Sequence, residues 1–168
     1  WKLRRRWFEC QIIMGKFRQM TDDFCYLLRV RYAECDAQKV VFNGKYVEYI
    51  DIAVSEYMRA ILGHYNDMLD KGIDWQVVSV TVNWKAPAHF DEVIAMNVST
   101  KRIGTSSFTL EINFYNYETS MHIASSEIVY VTVSANMHQK MAIPNDMRKA
   151  LEDGSPSITV DHAGVTNI

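Results

Sequence analysis

The stretch CDAQKVVFNGKYVEYIDIA (residues 35–53) contains the change of pattern that decides the fold. A short polar loop carries Asp36, an apolar run occupies residues 40–42, and Asn43 stands where a helical pattern begins. From there apolar residues recur three and four positions apart, which predicts an amphipathic helix over residues 45–62. Asparagine is favoured at helix N-caps, so Asn43 is the predicted N-cap.

The apolar face of this predicted helix is bulky, because tyrosines take the places where leucine is common. Gly63 is the predicted C-terminal stop, since glycine readily adopts the left-handed conformation that ends many helices. The residues expected to point into the core are Tyr46, Tyr49, Ile50, Ala53, Tyr57, Ala60 and Ile61.

Strand patterns lie on both sides of the helix, one before it and four after it. Short turns separate the later patterns, as is typical of antiparallel neighbours. The predicted fold is therefore α+β, with a five-stranded antiparallel sheet wrapped around one long helix. One long helix covers only one face of such a sheet, so we expect self-association to cover the remaining surface. The predicted strands lie within residues 24–34, 76–87, 91–104, 106–117 and 122–135, and a short helix is predicted over 144–153.

Length and composition indicate one globular domain, since the chain has 168 residues of which 48% are hydrophobic. We predict the domain over residues 21–153, a basic N-terminal extension over 1–20 and a C-terminal tail over 154–168. Residues 1–18 contain six Lys or Arg and one Glu. The extension is either a flexible leader, which is the preferred interpretation, or a segment that binds an anionic partner. The formal net charge of −2 gives no reason to expect nucleic acid as a partner.

Several classes of functional site lack their sequence signatures. There is no phosphate-binding glycine loop and no GxSxG elbow, and the five histidines are scattered without metal-ligand spacing. Cys10, Cys25 and Cys35 form no CxxC pair, so we predict neither a metal site nor a disulfide framework. Unpaired cysteines, no apolar run of the length of a membrane span and no apolar secretory segment predict a cytoplasmic protein.

Asp36 and the predicted helix start form the arrangement with the clearest chemical use. The first turn of a helix has free N–H groups and the positive end of the helix dipole, which stabilise an anion or a developing oxyanion. If the loop after Asp36 folds back, its carboxylate faces a carbonyl held at residues 43–46, and the apolar run 40–42 keeps the site dry. A carboxylate beside an oxyanion site is a minimal device for acyl transfer or hydrolysis.

Three segments resemble the hotdog-fold acyl-CoA thioesterases, and specifically their 4-hydroxybenzoyl-CoA thioesterase-like group. They are VRYAECDAQKVVFNGKYVEYIDIAVSEYM (30–58), VNWKAPAHFDEV (82–93) and KRIGTSSFTLEINFYN (101–116). The resemblance covers roughly residues 26–143, and the order of elements predicted above is also the hotdog order. It implies an acyl-CoA thioesterase that hydrolyses acyl-CoA to free acid and CoA. It also implies a homodimer or a dimer-of-dimers tetramer.

The resemblance also implies roles for individual residues. Asp36 would be the catalytic carboxylate, acting as nucleophile or general base, and the N–H of Asn43 would polarise the thioester carbonyl. CoA would lie along the dimer interface as part of the substrate, so neither a cofactor nor a metal is expected. The implied substrate-binding residues near the helix start are Val41, Phe42, Gly44 and Tyr46. Those implied for the pantetheine arm and phosphates are Lys101, Arg102, Gly104, Thr105, Ser106 and Ser107.

Two features of the sequence leave alternatives open. The family usually has a glycine at position 38 or 39, where this chain has Gln38 and Lys39. That departure favours a second hypothesis, a non-catalytic hotdog module that binds acyl-CoA or acyl-carrier protein. Glu48 and Glu56 on the helix are rival carboxylates, because another hotdog branch uses a helical acid, although a solvated helix face explains them more simply.

Overall fold

The computed structural model describes residues 24–155 and 157–165, so the predicted extension 1–20 lies outside the described residues. A 3-10 turn at Tyr32–Glu34 follows the first strand. The strands are β1 (Phe24–Arg29), β2 (Ile73–Trp84), β3 (Val93–Ile103), β4 (Ser107–Asn116), β5 (His122–Ser134) and β6 (Thr159–Asp161). The helices are α1 (Lys45–Leu62), α2 (Tyr65–Asp70) and α3 (Asn145–Asp153).

The strands form one sheet in the order β2-β5-β4-β3-β1-β6. The pairs among β1 to β5 are antiparallel, as predicted, whereas β6 runs parallel to β1. The sheet therefore has six strands instead of five. A strand of only three residues is too short to show an alternating pattern, which is why the sequence did not reveal β6.

The first predicted strand was too long, because β1 ends at Arg29 and residues 32–34 turn out of the sheet. The backbone N–H of Val30 still donates to the carbonyl of Glu92 at 2.9 Å, which ties the end of β1 to the loop before β3. The chain thereby leaves the sheet beside that loop, and this is where the candidate site is built.

Helix α1 spans residues 45–62 as predicted and packs its tyrosine-rich face on the sheet. Ala60 was predicted to be buried but is exposed. Near this end of the helix the buried face consists of Tyr57 and Met58, and Ile61 is only partly buried. Tyr46 packs edge-on against Phe114 of β4 at a ring-centre distance of 5.6 Å. The residues of α1 that are buried are Tyr46, Tyr49, Ile50, Ala53, Val54, Tyr57 and Met58.

The two ends of α1 test the cap predictions. Gly63 ends the helix with φ of +84°, and its N–H donates to the carbonyl of Arg59 at 3.0 Å, so the predicted stop is confirmed. The predicted N-cap is wrong by one residue. Gly44 occupies that position with helical dihedral angles, because a turn from Phe42 to Lys45 leads directly into the helix.

Strand β2 is twelve residues long and forms one edge of the sheet. Its side chains include Val77, Val78 and Trp84, which are 49%, 59% and 48% exposed. A long apolar edge of this kind is a template for pairing with another chain. Of the helices in the described part of the chain, none has the length and apolarity needed to cross a membrane.

Candidate active site

Asp36 lies at the start of a tight hairpin between Cys35 and Val41, which pair as an antiparallel bridge. The N–H of Asp36 donates to the carbonyl of Val40, and the N–H of Lys39 donates to the carbonyl of Asp36, both at 2.9 Å. This pattern is typical of a three-residue hairpin loop whose last residue is left-handed. Lys39 is that residue, with φ of +65°.

The departure at Gln38 and Lys39 therefore falls where the hairpin calls for a left-handed residue, and the hairpin forms without a glycine. A left-handed conformation costs a non-glycine residue about 1–2 kcal/mol. The loop tolerates this cost because both of the backbone hydrogen bonds that close it are formed. The hairpin geometry around Asp36 is thus compatible with lysine at position 39.

The carboxylate of Asp36 is held by one oxygen only. Its Oδ1 accepts the backbone N–H of Gln38 at 2.8 Å, which fixes the side chain against the hairpin. Its Oδ2 accepts no hydrogen bond from any of the described residues, and the side chain is half-buried. One oxygen thus orients the carboxylate, and the other is available to a substrate or a water molecule.

The start of α1 carries two backbone N–H groups that, like Oδ2 of Asp36, can bind a substrate atom. The first hydrogen bonds of the turn run from Lys45 to Phe42, from Tyr46 to Asn43 and from Val47 to Gly44, at 2.8, 3.3 and 3.2 Å. Within residues 24–155 and 157–165, the N–H groups of Asn43 and Gly44 donate to no acceptor. Together with the positive end of the helix dipole, they can stabilise negative charge on an oxygen.

A cavity of about 300 Å³ opens beside this helix start. Of the residues predicted for the site, Val41, Asn43 and Tyr46 line it together. Asp36 is not part of the lining but belongs to the same hairpin as Val40 and Val41. The full lining is Val40, Val41, Asn43, Tyr46, Trp84, Lys85, Ala86 and Pro87.

Four of these lining residues, Trp84, Lys85, Ala86 and Pro87, were not named as site residues from the sequence. Trp84 is the last residue of β2 and the other three follow it directly. Val41 joins this region by donating its N–H to the carbonyl of Ala88 at 2.9 Å. The sequence did offer one indication of these residues, because the resemblance to the family extends over the VNWKAP motif that contains them. Trp84 also packs edge-on against Tyr46 at a ring-centre distance of 6.1 Å.

Phe42 and Gly44 flank the cavity without lining it. The ring of Phe42 is 56% exposed and lies over Gly44, where an added Cβ would come within 3.0 Å of it. Glycine at position 44 therefore allows the Phe42 ring to cover the helix start.

The six residues predicted to hold the CoA arm and phosphates lie elsewhere in the protomer. They occupy the end of β3 and the turn to β4, whereas the Asp36 hairpin contacts the loop that precedes β3. Strand β3 has eleven residues, which separates the two groups by about 33 Å. One protomer does not bring them together.

The β3–β4 turn is also strongly tied to its neighbours. Lys101 forms ion pairs with Glu127 at 2.7 Å and Glu111 at 2.9 Å, and these hydrogen bonds raise its pKa. The N–H of Gly104 donates to the carbonyl of Ser107 at 2.7 Å, and its own carbonyl accepts from Arg148 at 2.6 Å. The carbonyls of Thr105 and Ser106 accept backbone N–H groups from Ile143 and Thr132, while Arg102 remains exposed.

A buried acid, Glu34, supports the site and was not identified from the sequence. Its carboxylate, 3% exposed, accepts the backbone N–H of Arg31 at 2.7 Å, the Arg31 guanidinium at 2.8 Å and the Tyr49 hydroxyl at 2.8 Å. Burial pushes the pKa of Glu34 upward, but these hydrogen bonds outweigh it and leave the pKa below its usual value. Burial, followed by the bond to Glu34, raises the pKa of Tyr49.

The rival carboxylates on α1 are both engaged at the surface. Lys45 Nζ binds both oxygens of Glu48 at 2.8 Å, and Arg59 binds Glu56. Neither Glu48 nor Glu56 lines the cavity at the start of α1. Their geometry matches the simpler interpretation of a solvated helix face.

Comparison with known proteins identifies the family. The family model of the thioesterase superfamily matches residues 38–121, half of the 168-residue chain. The chain belongs to the thioesterase superfamily. The predicted resemblance to hotdog thioesterases is thereby confirmed, and so is the prediction of a thioester hydrolase at the level of the family.

Individual relatives of this thioesterase agree with that assignment. An acyl-CoA thioester hydrolase of Escherichia coli is 23% identical over 74% of this chain and 92% of its own length. A gentisyl-coenzyme A thioesterase of known structure is 26% identical, with a TM-score of 0.66 over 76% of this chain and 98% of the other. A 1,4-dihydroxy-2-naphthoyl-CoA thioesterase from Synechocystis, 18% identical, shares the fold with a TM-score of 0.70 over 77% and 96% of the two chains.

Among the described residues, no group of three or more His, Cys, Asp or Glu side chains is arranged to hold a metal ion. The candidate site combines the Asp36 carboxylate, two backbone N–H groups and an adjacent cavity.

Proposed function

We propose that this thioesterase hydrolyses acyl-CoA thioesters to a free acid and CoA, with Asp36 as the catalytic carboxylate. The observation that carries the proposal is that two kinds of unused polar group occur on one short segment, the Asp36 hairpin and the helix start that follows it. Asp36 has one oxygen without a partner among the described residues, and the nearby start of α1 has two N–H groups without one. The neighbouring cavity offers space for the group that carries the thioester.

In the proposed reaction, the thioester carbonyl oxygen binds the N–H groups of Asn43 and Gly44. The carbonyl carbon is then attacked either by Asp36 itself or by a water molecule from which Asp36 takes a proton. In both routes the carbon–sulfur bond breaks, its electron pair leaves on sulfur, and the thiolate takes up a proton. Water supplies the new oxygen of the acid, directly or by opening the mixed anhydride.

The electrostatic contribution of the helix start is specific to the transition state. Negative charge on the carbonyl oxygen grows as the tetrahedral intermediate forms, so preorganised N–H donors bind that state more strongly than the substrate. Water and the thioester are the only reactants in this scheme, and the proposed activity accordingly needs neither a metal nor a cofactor.

We also propose that the active unit is a homodimer, or a tetramer built from two dimers. The turn at residues 101–107 lies about 33 Å from the hairpin of the same protomer, given the eleven residues of β3. If one CoA molecule contacts both the turn and a hairpin, this distance favours a turn and a hairpin that come from two different copies of the chain. The exposed apolar edge of β2 is the surface that best suits pairing with it, and the exposed Arg102 remains the candidate phosphate contact in the turn.

Release of CoA thiol from a panel of acyl-CoA substrates tests the proposed function. We expect steady turnover with at least one short, medium-chain or aromatic acyl-CoA. The alternative, a non-catalytic module that binds acyl-CoA or acyl-carrier protein, predicts saturable binding with no thiol release. That second outcome would replace the proposed function with the binding function.

A further inference from the structure

A second cavity, of about 360 Å³, lies between the C-terminal half of α1 and the edge strand β2. Its walls combine apolar side chains, including Val54, Met58, Trp75 and Val77, with a few polar groups. This volume falls within the range of small-molecule sites, which are largely apolar with a few placed polar groups.

The polar group in this cavity that is best placed to bind a ligand is the hydroxyl of Tyr130. The residue is 4% exposed and lines the cavity, and its ring stacks on Phe108 at 5.2 Å. Its hydroxyl has no hydrogen-bond partner among the described residues. The hydroxyl oxygen is not among the fully buried unpaired atoms, so it opens into the cavity, where a ligand atom can pair with it. Burial, and then the charge of Asp51, raise its pKa, so it remains a donor at neutral pH.

The opposite wall supplies the complementary groups. Asp51 and Ser55 line the same cavity, and in residues 24–155 and 157–165 neither side chain forms a hydrogen bond or an ion pair. A ligand hydroxyl can accept from Tyr130 and donate to the Asp51 carboxylate at once. A ligand carboxylate would instead meet the negative charge of Asp51, because Arg59, the cation in the lining, is already paired with Glu56. A methyl group would leave Tyr130 unpaired.

This cavity lies along the same side of α1 as the Asp36 site. Asn43, Val47, Asp51 and Ser55 are four residues apart and all exposed, so they form one stripe along the helix. On β2, Val77, Val80, Val82 and Trp84 share the helix-facing side. They do so because they pair with Tyr130, Ile128, Ser126 and Ala124, which are buried in the core.

The spacing along this stripe sets the length of a ligand that reaches both places. Eight residues separate Asn43 from Asp51, which corresponds to about 12 Å of helix. An extended chain advances roughly 1.2 Å per bond, so about ten bonds span the distance. Val47 lies between Asn43 and Asp51 on the helix stripe, and Val80 and Val82 lie between Val77 and Trp84 on the helix-facing side of β2, so apolar side chains occupy the interval.

We propose that the cavity binds the far end of an acyl group of about ten carbons that ends in a hydroxyl, with Tyr130 as the residue that selects the hydroxyl. This inference rests on the proposed function, because it treats the ligand as the acyl part of the thioester. It adds a substrate class, the medium-chain hydroxyacyl-CoA thioesters, and a specificity-determining residue remote from the reacting carbon.

The test compares decanoyl-CoA with 10-hydroxydecanoyl-CoA by calorimetric titration of Asp36→Asn protein, in which binding is measured without turnover. We expect the hydroxylated thioester to bind about tenfold more tightly, the effect of one buried hydrogen bond. Adding Tyr130→Phe should bring the ratio of the two dissociation constants close to one. Tyr26→Phe removes a buried hydroxyl outside the cavity, bonded to His162, and should leave the ratio as it was.

Asp51→Ala provides a second variant at an exposed helix position, where folding is not at risk. It should also lower the ratio, because the hydroxyl loses its acceptor. A ratio near one before any change at Tyr130, or a ratio that Tyr130→Phe does not alter, would overturn the inference. Thiol release by the unmodified chain is scored separately. Turnover with a ratio near one refutes only this inference, and a tenfold ratio without turnover refutes only the proposed function.

Discussion

Glu34 is the single residue on which the position of the Asp36 hairpin depends most. Its carboxylate joins the 3-10 turn to α1 through Arg31 and Tyr49, and its backbone carbonyl accepts the N–H of Phe42 at 2.9 Å. The two strands that flank Asp36 are therefore both anchored at one buried acid. Loss of that anchor is expected to loosen the hairpin before it affects the sheet.

The depressed pKa of Glu34 predicts a pH dependence of stability. Its usual pKa of 4.5 applies to the unfolded chain, which therefore binds more protons than the folded protein below that pH. The contribution of Glu34 is complete above pH 4.5 and is lost as the pH falls through the lower folded value. Urea unfolding at a series of pH values between neutrality and about pH 3 measures this effect.

Glu34→Gln should lower the free energy of unfolding by about 1–3 kcal/mol at neutral pH. It should also make the loss of stability in acid shallower. The matched control is Glu118→Gln, which changes an exposed acid and should preserve the steeper acid limb. An acid limb that is equally steep in both variants would contradict the role given to Glu34.

The hairpin from Cys35 to Val41 is the element whose strain the structure locates most clearly. Lys39 adopts φ of +65°, a conformation in which glycine carries no steric penalty. Lys39→Gly should therefore stabilise the protein by about 0.5–1 kcal/mol, after the entropy that glycine adds to the unfolded chain is subtracted. Thermal or urea unfolding measures the change.

Gln38→Gly is the matched control for that prediction, since residue 38 has no positive φ and should gain nothing from glycine. If Lys39→Gly and Gln38→Gly shift stability in the same direction by the same amount, the strain is not located at residue 39. The same pair of variants shows whether relief of the strain changes thiol release.

At the level of elements, regular periodicity made prediction from the sequence reliable. The three-and-four spacing of apolar residues gave α1 its observed bounds of 45 and 62, because a buried helix face repeats over five turns. Strand β1 was overextended since its alternation continues by chance into Tyr32, which is exposed in a 3-10 turn. The three residues of β6 offered no repeat to detect.

The candidate site could be proposed from the sequence only where its parts are close in sequence. Asp36 and Asn43 were found together because they lie only seven positions apart, in one hairpin and the helix start that follows it. Trp84 and Lys85 reach the cavity from the end of β2, and Tyr130 reaches the second cavity from β5. Only the pairing of distant strands brings these residues to α1, and a single sequence does not specify that pairing.

At the scale of the whole molecule, the unpaired edge of β2 predicts assembly. Sedimentation or light scattering should give the mass of a dimer or tetramer for the unmodified chain. Val78→Lys places a charge on a side chain that is 59% exposed on that edge and should shift the mass toward the monomer.

Met137→Lys is the control for assembly, because Met137 is 68% exposed in the turn after β5 and lies off the edge strand. A monomeric unmodified chain, or a Val78→Lys protein with the unmodified mass, would contradict assembly through β2. Loss of thiol release in the monomer would further support CoA contacts shared between two copies.

The catalytic claim rests on one carboxylate, and the substitution Asp36→Asn tests it most directly. The change keeps the size of the side chain and its acceptor for the Gln38 N–H, while removing the charge that attacks carbon or takes a proton from water. We predict that kcat for CoA-thiol release falls at least about 100-fold while acyl-CoA still binds. Glu48→Gln, which changes the rival acid on α1, should retain the kcat of the unmodified protein. An Asp36→Asn protein with undiminished kcat would contradict the account.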